Sequence, residues 1–425
     1  MKSIHFLLLI FIASSVACQT PNVLIHAQEK GGYLPCEPTI SIHPENPELV
    51  VAGSILNNVY RSEDGGKTWF HDTLQSPYGV YGDPCVVAGD SAQFFYFHLS
   101  DPTGKGWSDT GILDRIVCQM TLDGGRSWND GSFVGLNNDK DQDKEWACYD
   151  HVNDRLITTW TQFDKYGSSA PGDSSNILFS RADQNGENWT TPLRINQYAG
   201  NCLDDDRTTE GAVPSIGPNG EIYVAWALKE KIYFDRSTDG GKTWLNEDIV
   251  AGEIIGGWDM KIPGIQRCNG MPITCTDLSE GENRGKIYIN YADQRNGKDD
   301  TDIWLISSED GGDSWSDPVR VNDDGKGSHQ FFTWMDVDPV TGFVYIVFYD
   351  RREHQDNKTD VFLATSKDGG KTFENKKISE SPFIPSDAVF FGDYNNISAY
   401  DGKVRPIWTR YENGVMSVWT ALIDN

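Results

Sequence analysis

SEDGGKTW (Ser62–Trp69), TLDGGRSW (Thr121–Trp128), STDGGKTW (Ser237–Trp244), SEDGGDSW (Ser308–Trp315) and SKDGGKTF (Ser366–Phe373) are five copies of one corner sequence, S/T-x-D-G-G-x-S/T-W/F. A sixth, degenerate copy runs through Asp183, Gly186 and Trp189 with one extra residue. The Asp carboxylate can accept hydrogen bonds from the N–H groups of its own turn, the glycines permit positive φ, and the aromatic can tuck back between neighbouring sheets. The six aspartates are separated by 59, 60, 56, 71 and 58 residues. A period near sixty marks a propeller or a similar repeat array.

Three strand signals precede each corner. An inner strand opens on acidic or polar residues, as in EPTISIHP (Glu37–Pro44), DPCVVAG (Asp83–Gly89), EWACYDH (Glu145–His151), EGAVPSIGP (Glu210–Pro218) and DMKIPGI (Asp259–Ile265). An apolar second strand follows (LVVAGS, FFYFHLS, IYVAWAL, KIYINYAD, VYIVFYDRR), and a third such as NVYRS or TDIWLISS runs into the corner. Helical periodicity is absent. The triplets number seven, the last being FFGDYNNIS (Phe391–Ser398), VRPIWTR (Val404–Arg410) and MSVWTALI (Met416–Ile423), where the chain ends before a seventh corner. NVLIHA (Asn22–Ala27) is therefore expected to supply the missing outer strand and close the ring, which removes an open sheet edge. The expected fold is all-β, a single-domain seven-bladed β-propeller over residues 18–425, with a six-bladed propeller as the alternative.

Residues 1–17, with Lys2, the apolar run Phe6–Ile12 and small residues before Cys18, read as an export signal. Ser15-Val16-Ala17-Cys18 approximates a bacterial lipoprotein cleavage site, so the expected location is an outer-membrane lipoprotein anchored through Cys18, or a periplasmic or secreted protein. A net charge of −27 excludes nucleic acid as an expected partner. Fourteen tryptophans and seventeen tyrosines suit a carbohydrate-facing β-protein, although many must serve the corners and the packing between blades. The chain is read as a monomer. Of eight cysteines, Cys268 and Cys275 are near enough in sequence to bridge one loop, whereas Cys85, Cys118 and Cys148 read as buried thiols.

In a propeller, the starts of inner strands and the ends of second strands share one face around the central channel, and the corners lie on the other. That face collects Glu37, Asp83, Lys144, Glu145, Glu210, Asp259, His329, Asp393 and Tyr394 from the former, and Asp293, Arg295, Asp350, Arg351, Arg352 and Arg410 from the latter. A single charge there is most simply a strand cap; the set carries the functional reading. Asp83 and Glu145, then Glu210, are the candidate catalytic acids. Tyr394 is a candidate nucleophile or stacking group. Arg295, Arg352 and Arg410 are candidates to clamp an anionic sugar bidentately, with Lys144, Asp259 and His329 completing the binding set. The histidines lack transition-metal spacing, so no metal or other cofactor is expected; Ca²⁺ on the acidic ring is the sole candidate.

With the corners identified as Asp-boxes, the mature chain resembles the sialidase-like, Asp-box (bacterial neuraminidase repeat) superfamily of secreted β-propellers. EPTISIHPENPELVVAGS, EGAVPSIGPNGEIYVAWA and HQFFTWMDVDPVTG look like members labelled sialidase family proteins. The resemblance implies an exo-sialidase-like glycoside hydrolase acting on an acidic glycan. It departs from true sialidases in lacking their Arg-Ile-Pro motif, the nearest string being Lys261-Ile262-Pro263, and in its seven repeats. A polysaccharide lyase acting on uronates and a non-catalytic glycan-binding or scaffold propeller are the alternatives.

Overall fold

The computed structural model describes residues 20–29 and 33–425; the segment expected to be an export signal and Cys18 lie outside the described residues. Seven antiparallel sheets ring a central channel. Their inner strands are Thr39–Ile42, Cys85–Ala88, Asp141–Asp150, Glu210–Ile216, Ile273–Thr276, Gln330–Val337 and Asn396–Tyr400. In the first six blades the chain runs outward through four successive strands. In the seventh, Asn22–Ala27 pairs with Val415–Ala421, in a register from Asn22 opposite Ala421 to Ala27 opposite Ser417. The first and last segments of the described chain thus share one sheet, and the ring closes as the sequence leads one to expect.

Second strands such as Phe94–Leu99, Ile222–Leu228, Ile287–Asp293 and Val344–Asp350 are buried along their whole length. Each lies mid-sheet between two neighbouring blades, which is why these strands are continuous apolar runs rather than alternating ones. Each buried Val, Ile or Phe contributes roughly 1.5–3 kcal/mol through removal from water.

The corners turn on their aspartates. Asp64 Oδ1 accepts from the N–H groups of Lys67 (3.0 Å) and Thr68 (2.9 Å) and from Ser62 Oγ, while Oδ2 accepts from Thr68 Oγ1. The same net recurs at Asp123, Asp239, Asp310 and Asp368. Burial opposes ionisation of Asp123, yet these donors hold its carboxyl down at about 2. The corner aromatics pack on the preceding blade: Trp244 on Phe179 at 5.0 Å and Trp315 on Phe234 at 5.1 Å between ring centroids. Gly312, at φ +94°, has no room for a side chain, since a Cβ there would stand 2.2 Å from Phe234. Gly65 N–H donates to Glu48 O beside the inner-to-second-strand turn, which puts the corners on the face opposite the inner-strand starts.

Two expectations are corrected. The inner strand of the fifth blade is Ile273–Thr276, not Asp259–Ile265. Pro263 and Gly264 cannot hold a ladder; a tight turn closes there, with Ile265 N–H on Ile262 O, inside a loop that spans the fourth and fifth blades. Cys268 and Cys275 are both free thiols. Cys268 ends that loop with Sγ toward Asn269 O, whereas Cys275 sits in the inner strand with Sγ toward Met335 O of the next blade.

Candidate active site at the channel mouth

One backbone station recurs at the mouth. Two residues before the regular inner-strand ladder, Glu37 (φ 53°), Asp83 (47°), Lys144 (54°), Gly211 (73°) and Phe332 (47°) are left-handed. Bulges accompany it between Asp143 and Trp146, Glu210 and Val213, and Phe331 and Trp334. For a residue with a Cβ this conformation costs on the order of 1–2 kcal/mol. A bulge re-aims side chains, and here charged groups from three blades converge on the axis.

Lys144 stands at their centre. Its Nζ is 2.7 Å from Asp393 Oδ2 and 3.4 Å from Asp83 Oδ2. Arg267, from the loop between the fourth and fifth blades, binds Asp393 with Nε (2.8 Å) and Nη2, and reaches Asp204 with Nη1. Asp204 also accepts from Tyr166 OH (2.7 Å) and Trp258 Nε1 (3.1 Å). Burial opposes charge on Asp393, but Lys144 and Arg267 outweigh it and hold the carboxyl at about 2. Gly392 precedes it because Glu37 Cγ would lie 2.9 Å from any Cβ.

The neighbouring acids are driven the other way. Burial, opposed by Lys144 and reinforced by Asp83, raises Asp143 to about 8. Glu37 is pushed well up by burial and then by Asp83, Glu145 by burial and Asp83, and Glu210 by burial and Asp204. One constellation therefore holds a strongly ionised carboxylate, Asp393, and protonated carboxylic acids within it, the separation that acid–base chemistry requires.

A cavity of about 660 Å³ opens above this floor. Glu37, Asp83, Asp143, Lys144 and Arg267 line its base; Tyr81, Trp107, Tyr166 and Phe390 supply aromatic walls. Trp107 is 60% exposed and stands 5.3 Å from Tyr166 between ring centroids, a surface on which a sugar ring can stack. Beneath the floor, Trp146, Trp334 and Tyr394 pack together, with centroids 4.3 Å apart for the tryptophan pair. Below them a second space of about 510 Å³ lies among all seven inner strands.

The structure divides the sequence-derived candidates. Asp83 and Lys144 lie in the cavity base, and Asp259 lines the cavity, half-exposed and paired with Lys261. Glu145 and Glu210 are sealed behind it, with both carboxyl oxygens closed to solvent and without partners among the described residues. Tyr394 is likewise sealed in the aromatic plug, 2% exposed, its hydroxyl pushed well up by burial. These three can tune the floor but cannot touch a molecule in the cavity.

The arginine clamp is a correction. Arg295 folds back on Asp293 and stacks on Trp304 at 4.4 Å, and Arg352 does the same with Asp350 and Phe362 at 4.3 Å. This D-x-R turn is a repeated strand cap braced on a third-strand aromatic. Arg410 is held by Ser381 and Glu412. None of the three lines the mouth, and His329 lies in a separate side cavity.

Sequence reasoning passed over Asp143, Asp204, Tyr166 and Arg267. Arg267 had a signal, because the 71-residue interval between Asp239 and Asp310 exceeds the others and contains its loop. Asp143 is adjacent to Lys144, but only the bulge turns both toward the axis. Among the described residues no group of three or more His, Cys, Asp or Glu is placed to hold a metal ion.

No family model matches the chain, and no curated protein matches it in sequence. Solved structures do. The NanB sialidase from Streptococcus pneumoniae is similar with a TM-score of 0.52 at 10% identity, covering 85% of this chain and 71% of that one. A Hadza microbial sialidase, Hz136, has a TM-score of 0.49 at 13% identity over 88% and 73% of the two chains. A structure of YCF48 bound to D1 peptide has a TM-score of 0.48 at 12% identity over 96% of each. At these identities the likeness to NanB is one of fold, that of a sialidase-type propeller.

Proposed function

We propose that the protein is a glycan-active propeller of glycoside-hydrolase type, with its reaction centre at the channel mouth. The observation that carries this reading is the aromatic-walled cavity whose base presents Asp143, a carboxylic acid raised to about 8, together with Asp83 in an ion pair with Lys144. Asp143 is the group suited to protonate a leaving glycosidic oxygen. Asp83 is the partner suited to act as base or nucleophile from the same base, held in place by Lys144. Lys144 and Arg267 set the charge of the floor; Trp107, Tyr81 and Tyr166 orient the ring.

Among the described residues, Lys144 and Arg267 are the only cations lining the cavity, and both already hold carboxylates. A sugar carboxylate would compete with Asp393, Asp204 and Asp83 for them. The reacting ring is therefore uncharged at this position, in contrast to the acidic sugar that the family resemblance implies. A lyase is disfavoured because Tyr166, the tyrosine nearest Arg267 in the cavity, is raised by burial and then by Asp143 and Asp204, which makes it a poor base. A binding module is the second reading, favoured by the locking of Asp204 and Asp393 to Arg267.

The test is incubation with panels of neutral, sialylated and uronate-containing glycans, reading reducing ends and ultraviolet-absorbing unsaturated products. New reducing ends from neutral linkages, lost in Asp143→Asn and Asp83→Asn, support the hydrolase. Unsaturated products, or binding without turnover in any panel, would refute it.

A further inference from the structure

A second cavity, of about 470 Å³, opens on the mouth face beside the sixth blade. Pro263, Lys326, His329, Arg351, Arg352 and His354 are among its lining. Arg351 is its unusual member. It is 4% exposed, with Nε on Thr359 Oγ1 (3.1 Å) and Nη1 on Pro263 O (2.7 Å), and its face packs on Phe331 at 5.1 Å. Its Nη2 is buried without a partner among the described residues.

Three arginines among the described residues are buried: Arg351, Arg405 and Arg410. Arg405 pairs with Asp424 and Arg410 with Glu412, whereas Arg351 forms no ion pair among the described residues. The acids that share its cavity are committed elsewhere. Asp324 accepts from Arg320, Asn322 and Gln330, and Asp356 pairs with Lys358. His354 is turned to Asp360, Arg352 to Asp350, and His329 Nδ1 to Thr301 Oγ1. Lys326, exposed at the rim, forms no ion pair among the described residues.

A buried guanidinium is stable when a counter-charge and hydrogen bonds satisfy it, and costly otherwise. Burial pushes Arg351 down to about 10, and the opposing pulls of Cys268 and Asp356 are too weak to offset it. A buried guanidinium with Nη2 unpartnered among the described residues, a second cation at the rim and imidazoles in the wall make a complementary surface for a small oxyanion.

We propose that this side cavity is an oxyanion site, in which Arg351, with Lys326 at its entrance, binds a sulfate or carboxylate group carried by a glycan. The site is separate from the channel mouth and does not depend on what the mouth does. It places acidic-group recognition on the sixth blade, outside the constellation where the family resemblance would put it.

The test is calorimetric titration of the full chain with inorganic sulfate at constant ionic strength, and with a sulfated disaccharide and its unsulfated counterpart. Saturable sulfate binding is expected, weakened at least tenfold in Arg351→Lys, which keeps the charge but not the fork, and weakened in Lys326→Ala. Asp143→Asn should leave it unchanged. Arg351→Gln should abolish it; if that variant does not fold, the Arg351→Lys comparison decides alone. Tighter binding of the sulfated disaccharide than of inorganic sulfate identifies a glycan-borne group, and equal binding identifies a free anion as the natural occupant. Absence of saturable binding, or wild-type affinity in Arg351→Lys, overturns the site.

Discussion

Asp143→Asn tests the electrostatics of the mouth without reference to any substrate. Asp143 is 7% exposed and its carboxyl stands at about 8 in the folded protein against 3.8 for an unperturbed aspartate. Between those values the unfolded chain has released this proton and the folded chain has kept it. Its contribution to stability is thus complete below about pH 4 and is lost as pH rises toward 8. With one proton difference the slope is about 1.4 kcal/mol per pH unit, so from pH 5 to pH 7 the loss is roughly 2.7 kcal/mol. Asparagine has nearly the same shape, and its carbonyl can still accept the Lys144 N–H that Asp143 Oδ1 accepts at 2.9 Å. It carries no titrating proton. Denaturant unfolding of both proteins at half-unit pH steps subtracts the contributions of Glu37, Glu145 and Glu210, which are raised in the same direction. The difference in stability should move in favour of the variant by about 2.7 kcal/mol over that interval and flatten above pH 8. Parallel curves for the two proteins from pH 5 to pH 7 would show that Asp143 is not held protonated, and the assignment of a general acid to it would fall.

Further outcomes follow from individual contacts. Arg267→Ala should cost about 3–5 kcal/mol in denaturant unfolding, because it strips the buried Asp393 of one of its two cations and leaves Asp204 unpaired; a loss under 1 kcal/mol would mean Lys144 alone suffices. Gly312→Ala should destabilise by roughly 1–3 kcal/mol, combining left-handed strain with overlap on Phe234, and an unchanged unfolding midpoint would contradict the corner geometry. Denatured without reductant, Cys268 and Cys275 should both react with a thiol reagent, read by peptide mass, and a protected pair would disprove the free-thiol assignment. Ile25→Asp places a charge in the closing sheet, where Ile25 is 8% exposed, and should lower stability by several kcal/mol and promote self-association.

The ring was legible because its signals are local and repeated. A corner needs an Asp, two glycines and an aromatic within eight residues, and the strand run ahead of it needs only apolar continuity. The closing strand was legible from arithmetic, since seven triplets and six corners leave one outer strand to be found. The fifth inner strand was misplaced because Asp259–Ile265 has an acidic start and apolar body, yet Pro263 and Gly264 forbid a ladder, while Ile273–Thr276 four residues past Asn269 has none of the acidic opening that marks the first four blades and the seventh. The site was legible at the level of a face and not of a side chain. Asp83 and Lys144 were found since a left-handed station at the strand start aims them at the axis, but the same topology sends Glu145 and Glu210 behind it.

The arginines show why the face alone misleads. Aspartate and arginine two residues apart at the end of a second strand can either open toward a ligand or close on each other, and the choice depends on what lies alongside. Trp304 and Phe362 of the third strands offer flat surfaces to Arg295 and Arg352, so a guanidinium that stacks there keeps its two-donor contact with Asp293 or Asp350 and remains partly solvated. At the axis the left-handed stations bring carboxylates from several blades together faster than cations. With two cations for Glu37, Asp83, Asp143, Asp204 and Asp393, full ionisation would place like charges in a buried space, and the least costly response is retention of protons on Asp143 and Glu37. The protonated acids at the mouth follow first from burial, which this shortage of cations leaves largely unopposed. Supplying one should release the protons: Phe332→Lys, at the equivalent station of the sixth blade, should lower the pH at which Asp143 ionises, seen by carboxyl-carbon NMR, whereas an unchanged titration would place the cause in burial alone.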